Sequence, residues 1–261
     1  MLLSGSDDRT CRIWDTRTGK AIHGIVNFAH EITAAGFVSE SCLAIASGST
    51  VSIYDQRSLS IVAQAGSTVT TVEQAASGSE IQGLSARGDF VACVDEDGCV
   101  SICDITDPKH LVKFNNPHEA LASCVCFHPE EPILATGGFD QNVIVWDIAS
   151  EARINSFMPP AADDAKQMVN PPFVYSVDFA PTEEYMVVSG HADGKIIQFI
   201  RSNSDILATA GLDCTVKLWS TDAILDFSGK DIAPKAQQNL YAKPNALATL
   251  DTSPNLFIDQ G

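Results

Sequence analysis

An all-β architecture of repeated four-stranded sheets is what the sequence predicts, and three observations carry that prediction. A phrase recurs along the chain: "LLSGSDDRTCRIWD" ends at Asp15, "CLAIASGSTVSIYD" at Asp55, "FVACVDEDGCVSICD" at Asp104, "ILATGGFDQNVIVWD" at Asp147, "MVVSGHADGKIIQFI" at Ile200 and "ILATAGLDCTVKLWS" at Ser220. Each is an apolar strand, a turn of small residues, then a second strand closing on an aromatic residue or its equivalent. Most of the turns carry Gly and Asp, which favour tight reversals. Alternation such as Val143 and Val145 against Ile144 and Trp146 is apolar on both sides, so these strands pack on both faces.

The remaining strands follow in order. In the first unit "AIHGIV" (21–26) comes after the hairpin. In the second, "EITAAGFV" (31–38) precedes it and "SIVAQA" (60–65) follows. "EIQGLSA" (80–86) and "HLVKF" (110–114) flank the third, and "LASCVCF" (121–127) and "ARINSF" (152–157) the fourth. "VYSVDFA" (174–180) leads into the fifth. A sheet of four short strands cannot bury both faces alone. Arranged radially, neighbouring sheets cover one another, which is a β-propeller.

Trp14-Asp15 and Trp146-Asp147, with the variants Tyr54-Asp55, Cys103-Asp104 and Trp219-Ser220, are where the sequence resembles the WD-repeat family. The resemblance implies a seven-bladed propeller and, in its best-formed unit, a buried tetrad of His118, Thr136, Asp140 and Trp146. There His118 would pair with Asp140, and the imidazole would link Thr136 to the indole N–H. A satisfied polar chain of this kind rigidifies a sheet. Ser4, Asp8 and Trp14, then Ser189 and Asp193, then Thr209, Asp213 and Trp219, are partial copies.

The pattern also breaks. Aromatic-equivalent positions fall at 14, 54, 103, 146, 199 and 219, and the last interval is too short for four strands. An outer and an inner strand are missing around "RSNS" (201–204), and no inner strand precedes Leu2. Two readings stand. The chain is an incomplete or mis-spliced product whose natural start lies upstream, or it is a divergent propeller with irregular blades. The division expected is propeller over 1–220, irregular at 158–172 and 201–204, a polar linker at 221–243, and a partial final blade at 244–261, where "NALATLDTSPNLFIDQG" supplies two strand-like runs.

Bulk chemistry narrows the function. Hydrophobic residues make up 45% and charged residues 19%, an ordinary globular balance. The net charge of −17, with only 16 Lys and Arg, argues against nucleic acid and anionic membrane as ligands. No apolar run reaches membrane-span length, and no signal peptide is evident at the N-terminus. The eight cysteines form no Cys-x-x-Cys pair and read as buried free thiols of a reducing compartment, cytoplasmic or nuclear. No metal site and no cofactor are expected. Residues 190–195 faintly suggest a phosphate loop and "DEDG" (95–98) a calcium loop, but both are hairpin turns. With no Gly-x-Ser-x-Gly phrase either, the expectation is a chain that is not an enzyme.

One feature exceeds what folding needs. Trp14-Asp15-Thr16-Arg17 and Tyr54-Asp55-Gln56-Arg57 both read aromatic-Asp-x-Arg in consecutive units. The aromatic residue packs and the Asp caps the turn. The arginines would stand as neighbours on one rim, and guanidinium is suited to carboxylates. Leu2 to Arg17 resembles the sixteen-residue box of WD-repeat proteins that dock on the damaged-DNA-binding adaptor of cullin–RING ubiquitin ligases. The copy from Cys42 to Arg57 fits at its end but lacks the turn Asp. The resemblance implies a substrate-receptor subunit whose partner-binding residues are Trp14, Asp15, Arg17, Tyr54, Asp55 and Arg57. The alternative is a general scaffold for another multiprotein complex with no ubiquitin-ligase link.

Overall fold

The computed structural model describes residues 1–68, 70–73, 78–107, 109, 111–114, 118–158, 171–179, 187–192, 196–197, 206–211, 215–220, 236–239, 246–250 and 253–259; at 70, 72, 73, 188 and from 196 onward it describes the strands alone. The strands are β1 Leu2–Gly5, β2 Cys11–Asp15, β3 Lys20–Val26, β4 Ile32–Phe37, β5 Cys42–Ser47, β6 Thr50–Asp55, β7 Val62–Gln64 and β8 Thr70–Glu73. They continue with β9 Ile81–Arg87, β10 Phe90–Asp95, β11 Val100–Asp104, β12 Leu111–Lys113, β13 Ala122–Phe127, β14 Ile133–Gly138, β15 Val143–Asp147 and β16 Ala152–Phe157. The last are β17 Val174–Phe179, β18 Val187–His191, β19 Ile196–Ile197, β20 Ile206–Gly211, β21 Thr215–Ser220, β22 Ala236–Asn239, β23 Ala246–Leu250 and β24 Ser253–Asp259. Among the described residues these form seven sheets, in the orders β1-β2-β3-β7, β4-β5-β6-β8, β9-β10-β11-β12, β13-β14-β15-β16, β17-β18-β19, β20-β21-β22 and β23-β24.

Period-2 alternation stacks these sheets. Leu43 and Ile45 of β5 bury with Cys11 and Ile13 of the first sheet. Their neighbours Ala44 and Ala46 face the other way, onto Val91 and Cys93 of the third sheet. Ala92 and Val94 then turn toward Leu134 and Trp146 of the fourth, and Ala135 meets Val174 of the fifth. A middle strand with both faces buried against different sheets is what radial stacking produces.

Four inner strands share an irregularity. In β4, β9, β13 and β17 the register slips by one residue near the start, at Thr33, Gln82, Ser123 and Tyr175. These are β-bulges, which twist the strand and re-aim one side chain.

Two expectations need correction. The run "SIVAQA" is not the outer strand of its own unit. Residues Val62–Gln64 pair in parallel with β3 of the first sheet, and the second sheet takes β8 as its outer strand. Burial decides this: Leu59 and Ala63 sink into the cluster between the first two sheets, and the Tyr54 hydroxyl donates to the Ala65 carbonyl at 2.7 Å. Within 221–243, expected to be linker throughout, Ala236–Asn239 pairs with β21 as a third strand. The two runs expected in 244–261 form the seventh sheet.

Candidate docking rim and buried tetrad

Antiparallel order puts the turn after each third strand on the same edge as the turn between the first two strands. The backbone confirms the adjacency: the Gln56 amide donates to Ser41, Ile105 to Asp89 and Ile148 to Pro132, each joining two such turns. In the first sheet the hairpin β1-β2 takes the place that β5-β6 has in the second, so Arg17 and Arg57 stand on one rim, on consecutive sheets.

On that rim the Asp positions do the same work in four sheets. Asp15, Asp55, Asp104 and Asp147 each accept the backbone N–H two residues on, at 2.7–3.0 Å, from Arg17, Arg57, Thr106 and Ala149. The turn needs the carboxylate and is indifferent to the side chain of the residue whose backbone donates the N–H, so the two arginine side chains are surplus to folding. Hydrogen bonds hold the Asp15, Asp55 and Asp147 carboxyls low. For Asp15 the largest cause is the Arg17 amide; for Asp55 it is the Arg57 side chain.

The arginines differ. The Arg57 guanidinium folds back on Asp55, Nε to Oδ1 at 3.0 Å and Nη2 to Oδ2 at 2.8 Å. Arg17 reaches Asp15 only at 3.6 Å and is 84% exposed, against 71% for Arg57. Behind them, the Trp14 indole donates to Ser4 Oγ at 2.9 Å, and Tyr54 is fully buried. Asp8, expected to belong with Ser4 and Trp14, instead accepts from the Thr10 amide and hydroxyl.

The tetrad of the fourth sheet forms, with one change of order. His118 Nδ1 lies 2.9 Å and 3.0 Å from the Asp140 oxygens, His118 Nε2 lies 2.8 Å from Thr136 Oγ1, and the Trp146 indole donates to that hydroxyl at 2.9 Å. Thr136, not the imidazole, is the link to the indole. Burial pushes the Asp140 carboxyl up, but its bond to His118 and the attraction of that ring outweigh this and hold it low. Hydroxyl, imidazole and carboxylate stand in a line at distances a hydrolase would use. Here the hydroxyl is buried and already accepts the indole N–H, so this line is closed to substrate.

The fifth sheet solves the same problem differently. His191 on β18 meets Ser189 Oγ at 2.9 Å through Nε2, and its Nδ1 lies 3.0 Å from the Pro172 carbonyl. The sequence pattern missed His191 because it comes from the second strand and not from the turn before the first. Asp193 and Asp213 lie outside the described residues, as do the side chains of Thr209 and Trp219. Among the described residues no group of three or more His, Cys, Asp or Glu could hold a metal ion, and no helix is long and apolar enough to cross a membrane. Cys11, Cys93 and Cys103 are buried free thiols; Cys42, Cys99, Cys124 and Cys126 are half-buried, and Cys214 lies outside the described residues.

Known proteins agree with this architecture. The family model for the WD domain, G-beta repeat, matches residues 1–15, 109–147 and 200–220. The chain is similar to a WD repeat-containing protein 53 homolog of Dictyostelium discoideum, 27% identical over 233 residues, covering 78% of this chain and 62% of that one. It is also similar to human protein NEDD1, 24% identical over 199 residues, covering 76% of this chain and 28% of that one. The chain thus spans less than two thirds of the length of these relatives. The crystal structure of the WD40 β-propeller domain of Doa1 superposes with a TM-score of 0.60 at 17% identity, over 77% of this chain and 60% of that one. The stacked sheets, the tetrad and these matches lead to one fold, that of a WD-repeat β-propeller.

Proposed function

We propose that this chain is a non-catalytic substrate receptor, cytoplasmic or nuclear, that docks on the damaged-DNA-binding adaptor of a cullin–RING ubiquitin ligase. The observation that carries the reading is Arg17: a guanidinium 84% exposed, on a turn whose fold does not need it. Arg57 occupies the same position one sheet on, while the equivalent positions of the third and fourth sheets hold Thr106 and Ala149. Trp14 and Tyr54 hold the two turns from behind, and Asp15 and Asp55 shape them. The opposite rim is left for a substrate protein.

A second reading, a scaffold for another complex with no ligase link, is favoured by Arg57 itself. A guanidinium already closed on Asp55 must be released before it serves a partner. Binding of the purified adaptor to the wild type, Arg17→Ala, Arg57→Ala and the double variant separates the two. The receptor reading expects binding that Arg17→Ala weakens most, with a double loss of about 2–5 kcal/mol, the scale of truncating two interfacial charges. Equal binding by all four folded proteins, or none by any, leaves the scaffold reading.

A further inference from the structure

Between β6 and β8 the chain leaves its own sheet. After a turn of 3₁₀ helix at Gln56–Ser58 it lays β7 along the outer edge of β3, with Gly24 opposite Val62, Ile25 opposite Ala63 and Val26 opposite Gln64. This strap is pinned from the inside by Leu59, Ala63 and the Tyr54 hydroxyl. Two apolar side chains at its start are bare: Ile61 is 79% exposed and Val62 60%. Opposite Val62, nothing lies within 4 Å of where a Cβ would stand on Gly24, so the sheet surface there is open. Paired in parallel, Ile61 and Val62 lie beside His23 and Gly24, about 13 Å along β3 from the turn that carries Arg17. An interface of ordinary size, burying roughly 800 Å² on each partner, covers both.

We propose that Ile61 and Val62 form the apolar shoulder of the docking rim, receiving an apolar side chain from the same protein surface whose carboxylate pairs with Arg17. The inference rests on the receptor reading of that rim. Exposed apolar residues within one interface's span of an exposed guanidinium have the composition of a docking surface. Strand addition is not the mode. The Ile61 carbonyl and Ala65 amide turn inward to β3, so Val62 and Gln64 turn their carbonyls outward. Ser60 Oγ donates to the Val62 carbonyl at 2.6 Å, and the Ser67 amide and hydroxyl donate to that of Gln64. An edge so occupied discourages another strand and leaves side chains to make the contact. A second copy of this chain suits the surface poorly, since each carries a net charge of −17.

The test is adaptor affinity at two salt concentrations for the wild type, Arg17→Ala, Ile61→Gln/Val62→Gln and the single Ile61→Gln. Both apolar positions are exposed, so folding survives, and unchanged thermal unfolding checks this. The glutamines keep the charge constant. The expected result is a roughly tenfold or greater loss for the double variant with the wild-type salt dependence retained, whereas Arg17→Ala loses both affinity and part of the salt dependence. Wild-type affinity in the glutamine variants, with Arg17→Ala still weakened, overturns the shoulder and leaves the receptor reading standing. No adaptor binding by the folded wild type overturns both. Self-association that the glutamines abolish assigns the surface to a second copy and also overturns the proposal.

Discussion

Replacing Thr136 by Val changes almost no volume and keeps a β-branched residue in β14, yet it removes the atom on which the tetrad turns. The hydroxyl meets His118 Nε2 at 2.8 Å and accepts the Trp146 indole N–H at 2.9 Å, and all three residues are buried. Valine leaves both nitrogens without that partner. Each buried polar group stranded this way costs about 1–3 kcal/mol, so with two stranded the variant loses roughly 2–6 kcal/mol. Against a typical total of about 5–15 kcal/mol this is a large fraction. At roughly 2–4 °C per kcal/mol for a chain of this size, the melting temperature falls by on the order of 10 °C. Ser4→Ala is the matched control, because it removes a hydroxyl–indole bond of the same length, to Trp14, at a half-buried site with no histidine behind it. That loss is about 0.5–1.5 kcal/mol. Urea unfolding followed by circular dichroism measures both. A Thr136→Val loss no larger than that of Ser4→Ala would refute the reasoning, since burial and the second bond would then count for nothing.

The remaining expectations are shorter. Tyr54→Phe frees the strap from its hydrogen bond to Ala65, so amide exchange at 62–64 speeds up while β13–β16 keep their protection; unchanged exchange would show that Leu59 and Ala63 suffice. Gly98→Ala sets a Cβ 2.5 Å from the carbonyls of His118 and Ala120 at φ +80°, and destabilises by at least about 2 kcal/mol in thermal unfolding; a smaller loss means that the turn before β13 gives way freely. Asp55, held low by Arg57, titrates below the ordinary 3.8, so its contribution is full above that value and disappears as pH falls through the lowered one. Carboxyl carbon shifts read this directly, and a midpoint at or above 3.8 contradicts the ion pair. Cys11, its thiol pushed up to about 12 by burial, resists alkylation at neutral pH until the protein unfolds; prompt labelling without unfolding contradicts its burial.

What was legible in the sequence follows from local physics. Hairpins announced themselves because a period-2 apolar pattern on both faces, broken by Gly and Asp, has few other solutions. The fourth unit's tetrad was legible because its four residue types stand at fixed offsets on one hairpin and the turn before it. The strap was not. "SIVAQA" is equally good as an antiparallel outer strand or a parallel one, and the choice rests on where Leu59 and Tyr54 find burial, which is tertiary. The bulges at Thr33, Gln82, Ser123 and Tyr175 leave no local signature either. On the rim the pattern showed that Arg17 and Arg57 are alike. It could not show that one is closed on its own aspartate and the other nearly free.

That inequality connects the strap to the docking rim. Arg57 begins the excursion that crosses to the first sheet, and its backbone N–H, donated to Asp55, shapes the exit of the chain from β6. Arg17 ends a short turn that leads straight into β3, the strand to which the excursion pairs. The two turns are therefore tied together through β7, which joins their backbones while leaving the Arg17 side chain its freedom. Under the receptor reading, a partner would meet one arginine ready to pair and one that must first exchange its own exposed carboxylate for the partner's. Loosening the strap without touching either arginine should weaken binding as surely as removing a charge, and that link between a buried tyrosine and an exposed rim is the strongest consequence of the borrowed strand.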